Sequence, residues 1–207
     1  MAYSVGLISL GCAKNQVDAE RMLANLEKAG FKIKSDAALA DAVIVNTCGF
    51  IDAAKKESIE EILELGKLKD EGQIKAIIVT GCLAERYREE ILKELPEADA
   101  VIGIGADSDI VSVVKDALGG VKYECFPEKT LLGLSGERRL LTPNYFAYLK
   151  IAEGCDNRCA YCAIPFIRGR YRSRTIEDIV KEAKKLSERG AKEIILIAQD
   201  TTKYGYD

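Results

Sequence analysis

Ten residues constrain this chain more than any others: Glu153-Gly154-Cys155-Asp156-Asn157-Arg158-Cys159-Ala160-Tyr161-Cys162. They set three cysteines at the spacing C-x3-C-x2-C in a protein that has no histidine. Thiolates this close in sequence can converge on one soft metal centre. The number three is informative. A structural zinc site closes its shell with four ligands, and electron-transfer iron–sulfur clusters also take four cysteines. Three thiolates from one loop suit a [4Fe–4S] cluster that keeps one iron open for a small molecule. The alternative is three buried thiols, or a zinc knuckle completed by a cysteine from elsewhere.

A chain of 207 residues has room for one large domain, or one domain and part of another. Its 48% apolar content can fill a core, and a net charge of −3 gives no general reason to expect nucleic-acid binding. The start turns polar by Lys14 with no basic region before it, unlike a signal peptide. No apolar run approaches a membrane span. These features predict a cytosolic protein. There, seven cysteines argue for metal or redox chemistry rather than a disulfide framework.

Residues 1–118 alternate strand and helix signals. Val5–Leu10 is an apolar run ending at Gly11-Cys12, and the following helix places Ala19, Met22, Leu23 and Leu26 inward before Gly30. Phe31–Ile33 reads as a short strand and Ala42–Val45 as a buried one leading into Cys48. The next helix has Ile59, Ile62, Leu63 and Gly66 on one face. Ala76–Val79 runs into Thr80-Gly81-Cys82, a helix through Ile91, Leu92 and Leu95 stops at Pro96, and Ala100–Ile104 is a fourth buried strand. The last helix, capped near Asp107–Ser108, turns Ile110, Val113, Val114 and Ala117 inward. The pattern predicts an α/β fold, an open parallel sheet flanked by helices. Cys12, Cys48 and Cys82 each follow a strand and precede a helix, at separations of 36 and 34 positions. Carboxyl ends of parallel strands share one edge, where ligands bind, so this predicts a second three-cysteine cluster. Helix N-termini beyond the cysteines would stabilise thiolates. Taken singly, each cysteine reads as a small buried hydrophobe.

Residues 119–143 read as a connector, with a short strand or hairpin around Val121–Phe126; Cys125 there is structural or without a role, and a fourth ligand is the remaining option. From Tyr145 a second unit, residues 144–207, runs strand (Tyr145–Ile151), cysteine loop, helix, strand (Ile194–Ala198). Its helix opens at Thr175-Ile176-Glu177-Asp178 and lines one face with Ile176, Ile179, Val180 and Ala183. This is the beginning of a β/α barrel, whose chemistry sits in loops after the strands. One such unit cannot bury its own faces, so the chain is expected to be a fragment, inactive by itself. Arg168, Arg170, Arg172 and Arg174 alternate, which would put them on one face of an extended strand. With Arg158 they would attract a carboxylate or RNA, or form a solvated, ion-paired loop.

Gly11-Cys12-Ala13-Lys14-Asn15-Gln16-Val17-Asp18, Asn46-Thr47-Cys48-Gly49-Phe50-Ile51-Asp52 and Gly81-Cys82-Leu83 resemble the N-terminal domain of the radical S-adenosylmethionine (SAM) methylthiotransferases. The Cys155–Cys162 loop, with Tyr161 before its last cysteine and Pro165, Arg168-Gly169 and Ser173-Arg174 after it, resembles the start of their SAM-binding barrel. The resemblance covers essentially the whole chain. It implies two [4Fe–4S] clusters, one on Cys12, Cys48 and Cys82, the other on Cys155, Cys159 and Cys162 with SAM chelated at its open iron. It also implies that Tyr161 contacts SAM, and makes Asn15, Asn46 and Thr47 candidates to hydrogen-bond cluster sulfurs, against a plainer role in capping and turns. Cys48-Gly49-Phe50-Ile51-Asp52-Ala53-Ala54 and Gln199-Asp200-Thr201-Thr202-Lys203-Tyr204-Gly205 are similar to the branch that modifies an aspartate β-carbon of a small-subunit ribosomal protein. Partners implied are that protein, an electron donor, a sulfur source and a contact with ribosomal RNA. The nearest rival is the tRNA adenosine branch of the same family; a rival of another class is a non-catalytic iron–sulfur or zinc module.

Overall fold

The computed structural model of the chain describes residues 3–129 and 134–207. Six parallel strands form its main sheet: β1 (Ser4–Ser9), β2 (Lys32–Lys34), β3 (Ala42–Thr47), β4 (Ala76–Gly81), β5 (Ala100–Ile102) and β6 (Tyr123–Cys125). Their spatial order is β2-β1-β3-β4-β5-β6. The chain therefore leaves β1 first to one side and then to the other, and the crevice at such a reversal is where open α/β sheets bind ligands. Helix α1 (Ala13–Lys28) and helix α5 (Ile110–Leu118) cover one face, against Val5, Ile44, Ile78 and Ile102. Helices α2 (Asp52–Asp70), α3 (Cys82–Arg86) and α4 (Arg88–Glu94) cover the other, against Val43, Val45, Ile77 and Val79. Strands β3 and β4 are buried throughout, as continuous apolar runs in a two-sided parallel sheet must be.

On the helices of the main sheet, two apolar residues expected inside stand outside. Leu63 is exposed because α2 turns Ser58, Ile62, Leu65 and Gly66 toward the sheet. Leu92 is exposed because the helix breaks at Tyr87, and the restarted α4 presents Ile91 and then Leu95.

One half-buried carboxylate pins the sheet's entry edge. Asp41 Oδ2 accepts from the Ser4 amide and hydroxyl, both at 2.8 Å, and Oδ1 pairs with Lys75 Nζ at 2.8 Å. Lys75, then Ser4, hold the carboxyl down at about 2. A folded value below the unfolded one contributes stability that is complete above about pH 4 and lost as pH falls through the folded value. Asp41→Asn should cost about 1–2 kcal/mol at pH 7, less than the full linkage because Lys75 stands in solvent. Urea titrations should show the gap to wild type closing between about pH 4 and pH 2.

Of the expected connector, residues 130–133 lie outside the described residues. Its β6 pairs in parallel with β5 as the edge of the main sheet, and Cys125 packs beside the core there. The stretch after it returns along α1. Arg138, buried, donates to Glu20 Oε2 through Nε (2.9 Å) and Nη2 (2.6 Å), and through Nη1 to Glu182 Oε1 (2.5 Å) and the Tyr148 carbonyl (2.7 Å).

The second unit opens with β7 (Phe146–Lys150), then β8 (Ala152–Glu153), α6 (Ile164–Arg168), β9 (Arg172–Ser173), α7 (Ile176–Glu188) and β10 (Glu193–Ile197). β7 and β10 pair in parallel with α7 between them, while β8 and β9 close a short antiparallel ladder. Thr175 Oγ1 caps α7 by accepting from the Asp178 amide at 3.3 Å, and the Asp178 carboxylate turns back to Arg174 at 2.8 Å. On α7 only Leu186 is fully buried; Ile176 and Val180, expected inward, are exposed on a face that no described element covers.

Candidate metal centres

The first triad forms where three neighbouring strands end. Ser9 pairs with Asn46 and Thr47 with Gly81, so β1, β3 and β4 finish nearly level. Cys12 precedes α1, Cys48 directly follows β3, and Cys82 directly follows β4 as the first residue of α3. Cys12 is exposed, Cys48 half-buried and Cys82 buried. Cys48 Sγ lies 3.1 Å from where a Cβ on Gly11 would stand. Asn15 occupies the middle of the group. Its amide donates to the carbonyls of Leu10 (3.1 Å) and Thr47 (2.9 Å), while its Oδ1 lies 3.5 Å from Cys82 Sγ. Asn46 donates to the Asn15 carbonyl (2.7 Å) and Thr47 to the Thr80 carbonyl (2.5 Å). These three polar side chains tie the strand ends together; none caps α1, which has no side-chain cap.

Gly81 fixes the direction in which Cys82 leaves the sheet. Its φ is +96°, and a Cβ there would stand 2.4 Å from the Thr47 carbonyl oxygen. The close approach of β3 and β4 at this point leaves no room for any side chain.

The arginines do not share a face. The chain is helical up to Arg168 and turns at Gly169, so the alternation never becomes one extended strand. Arg158 and Arg170 are exposed and Arg172 half-buried. Arg174 is buried, pairing with Asp178 and with Glu182 (2.7 Å). Arg168, 2% exposed, is the largest fully buried side chain among the described residues. Its Nη1 donates to both Glu153 oxygens at 2.9 and 3.0 Å, and its Nη2 donates to Asn15 Oδ1 at 2.6 Å and reaches Cys82 Sγ at 3.7 Å. Asp18 Oδ2 lies 3.3 Å from the same guanidinium. Lys150 completes the group, with Nζ 2.5 Å from Asp18 and 2.7 Å from Glu153. Burial opposes every charge here. The two cations outweigh it at Glu153, whose carboxyl is held well below the usual range, and the carboxylates push Lys150 up. At Cys82 burial wins: it raises the thiol against the pull of Arg168.

The second triad lies on the loop between β8 and α6. Cys155 and Cys162 are half-buried and Cys159 is exposed. Gly154 starts the loop with a φ of +76°, passing so close to the turn before β9 that a Cβ would stand 2.0 Å from the Arg170 carbonyl oxygen. The Cys155 amide donates to the Gly169 carbonyl (3.1 Å), and the Cys162 amide to the Cys159 carbonyl (3.0 Å). Asn157 ties the loop to Asp200 at 2.9 Å. An open cleft of about 480 Å³ beside Cys155 is lined by Asn157, Arg170, Tyr171, Lys203 and Tyr206. Tyr161 projects into solvent, 90% exposed.

Helix α6, which begins two residues after Cys162, packs Ile167 against Cys82 and Ile104, with Ala163 beside them. Lys129 reinforces this contact, reaching Glu85 of α3 (2.8 Å) and the Phe166 carbonyl (2.8 Å). No three cysteine or carboxylate side chains among the described residues are grouped so as to hold one metal ion. A single zinc would draw its thiolates to about 2.3 Å each, whereas a cluster takes each thiolate on a different iron and spaces them more widely. The donor set fits that second group: cysteine sulfurs at both sites, glycines next to them in the chain, and the Arg168 N–H at the first.

Sequence reasoning missed Asp18, Lys150 and Glu153 as parts of the site. The signal for Glu153 was its place two residues before Cys155, and for Asp18 its place at the end of the Gly11–Asp18 stretch; Lys150 gave none, sitting among residues that read as ordinary strand.

Residues 4–103 match the family described as "Uncharacterized protein family UPF0004", and residues 149–207 match the radical SAM superfamily. The chain is 56% identical over 205 residues to a protein of Thermoanaerobacter sp. (strain X514) and 58% identical over 207 to one of Desulforamulus reducens, each alignment covering 99% of this chain. A Clostridioides difficile protein is 50% identical over 211 residues, covering 98% of this chain. All three bear the name ribosomal protein uS12 methylthiotransferase RimO. The chain spans just under half of their length, 47%, 46% and 46% respectively. From its two matched regions and these relatives, the chain belongs to the radical SAM methylthiotransferase family, most like the RimO proteins.

Proposed function

We propose that this chain is the cluster-bearing part of a cytoplasmic enzyme that adds a methylthio group to the β-carbon of an aspartate in ribosomal protein uS12. The observation that supports the reading is the packing of α6, the helix after the second cysteine loop, onto Cys82 of the first triad. Cys12, Cys48 and Cys82 would hold the first [4Fe–4S] cluster. Cys155, Cys159 and Cys162 would hold the second, with SAM in the adjoining cleft and Tyr161 free to close over it. When bound, the clusters supply electron transfer to SAM and delivery of the methylthio sulfur. The chain's own residues do the rest. Gly81 and Gly154 aim the cysteines, Asn15, Asn46 and Thr47 lock the strand ends, and Asn157 anchors the second loop. An electron donor and a sulfur source complete the reaction, and Arg158 and Arg170 remain available to ribosomal RNA. Residues 1–118 and 144–207 serve as the two units, the second being the opening of the SAM barrel.

Iron, sulfide and zinc content of the full-length enzyme after anaerobic reconstitution tests this. About eight irons per chain are expected, halving in the Cys→Ala triple of either triad. The enzyme should then add mass to uS12 and leave tRNA unchanged. One zinc with little iron would overturn the reading, and modification of tRNA alone would move it to the other branch.

A further inference from the structure

Arg168 belongs to the second unit by sequence, yet its guanidinium reaches into the first triad. Its partners divide between the two sides: Asn15, Asp18 and Cys82 from the first unit, Glu153 from the second. A planar fork of fixed N–H donors can serve several acceptors at once, which a single ammonium head cannot. Glu153 and Lys150 hold the fork in place: Glu153 receives it through both oxygens, and Lys150 balances the second carboxylate. The group therefore contains two cations and two carboxylates, and stays neutral before any cluster charge is added. One Nη2 hydrogen goes to Asn15; the second has Asp18 and Cys82 Sγ within reach. Ionising the Cys82 sulfur, as metal binding does, strengthens that second contact because the acceptor becomes charged.

On the two-cluster reading above, we infer that Arg168 is a positioning residue for the first cluster, donating an N–H to the Cys82 sulfur from the second unit and thereby setting the first cluster's reduction potential. A cation and a hydrogen bond at a ligand sulfur favour the more negatively charged reduced state. Because the same guanidinium is gripped by Glu153, two residues before Cys155, the first site acquires its full set of donors only when the second loop is seated. A residue acting as mere packing would hold the shape of the pocket and leave the potential unmoved.

The test uses the full-length enzyme carrying Cys155, Cys159 and Cys162→Ala, so that only the first cluster is seen. With arginine labelled by nitrogen-15, pulsed paramagnetic resonance of the reduced cluster should show coupling to a guanidinium nitrogen. In Arg168→Lys, which keeps the charge balance of the pocket, the coupling should vanish. Reduction should become about tenfold less favourable, 59 mV for a one-electron couple, with iron and sulfide unchanged. A loaded cluster with no nitrogen coupling while Arg168 is in place overturns the inference, whatever the folding of the variant. So does coupling without a shift in Arg168→Lys. An absence of iron at the first triad overturns the two-cluster reading itself, and the inference with it.

Discussion

Gly81→Ala should remove the first metal centre and about 3–5 kcal/mol of stability together. At φ +96° and ψ −162° the residue lies in a region that only glycine adopts without strain, costing other residues about 1–3 kcal/mol. Steric conflict comes on top. The added Cβ would stand 2.4 Å from the Thr47 oxygen, 2.6 Å from Asn46 Oδ1 and 2.7 Å from the Thr47 nitrogen. Those atoms belong to a buried strand end that cannot give way without opening the pairing of Thr47 with Gly81, a further cost of about 1–3 kcal/mol for overpacking. Cys48 and Cys82 are the residues that follow, so the strand shift moves two of the three thiols. Reconstituted protein should hold half the wild-type iron and unfold at lower urea. Wild-type iron and an unchanged midpoint would show that β3 and β4 separate more easily than their register suggests.

Glu20→Ala should be nearly as damaging, by about 3–5 kcal/mol, through the loss of a partner for a buried charge. Glu20 is fully buried on α1, where one oxygen receives Arg138 twice and the other receives the Leu141 amide at 2.9 Å. Without it Arg138 keeps Glu182 and the Tyr148 carbonyl, while its Nε and Nη2, buried, lose their acceptor. The pair joins α1 to β7 and α7, so the unfolding curve should also broaden or split as the units part. Replacing both residues, Glu20→Leu with Arg138→Met, removes the stranded charge and should recover much of the loss. A single variant within about 0.5 kcal/mol of wild type would mean that the clamp is not what holds the halves together.

What the sequence made legible follows from its periodicities. The parallel sheet and the convergence of Cys12, Cys48 and Cys82 could be read because each strand is a continuous apolar run and each turn is marked by glycine. Helix α1 shows where such reading stops. Its apolar stripe, Ala19, Met22 and Leu26, points to its own sheet, while Asp18, which meets the second unit, and Glu20, which meets the connector, look like a solvated side. Buried ion pairs leave no hydrophobic signature. The arginines misled for a related reason: a two-residue alternation implies an extended chain, but a short helix and a turn at Gly169 send Arg168 inward and Arg170 outward. Ile176 and Val180 were read from a helix period that is correct, on a face whose cover is not among the described residues.

The separation in sequence between Cys82 and Arg168 also sets an order of events on the ribosome. All three cysteines proposed for the first site are made by residue 82, and the side chains that cover Cys82 from the other side, Ile167 and Arg168, are complete 86 residues later (168 − 82). At a synthesis rate of about 5–20 residues per second that is an interval of roughly 4–17 s. During it the nascent thiols stand open on the face that Ile167 and Arg168 later cover, and on the proposed two-cluster reading that interval is the window for delivering iron and sulfide.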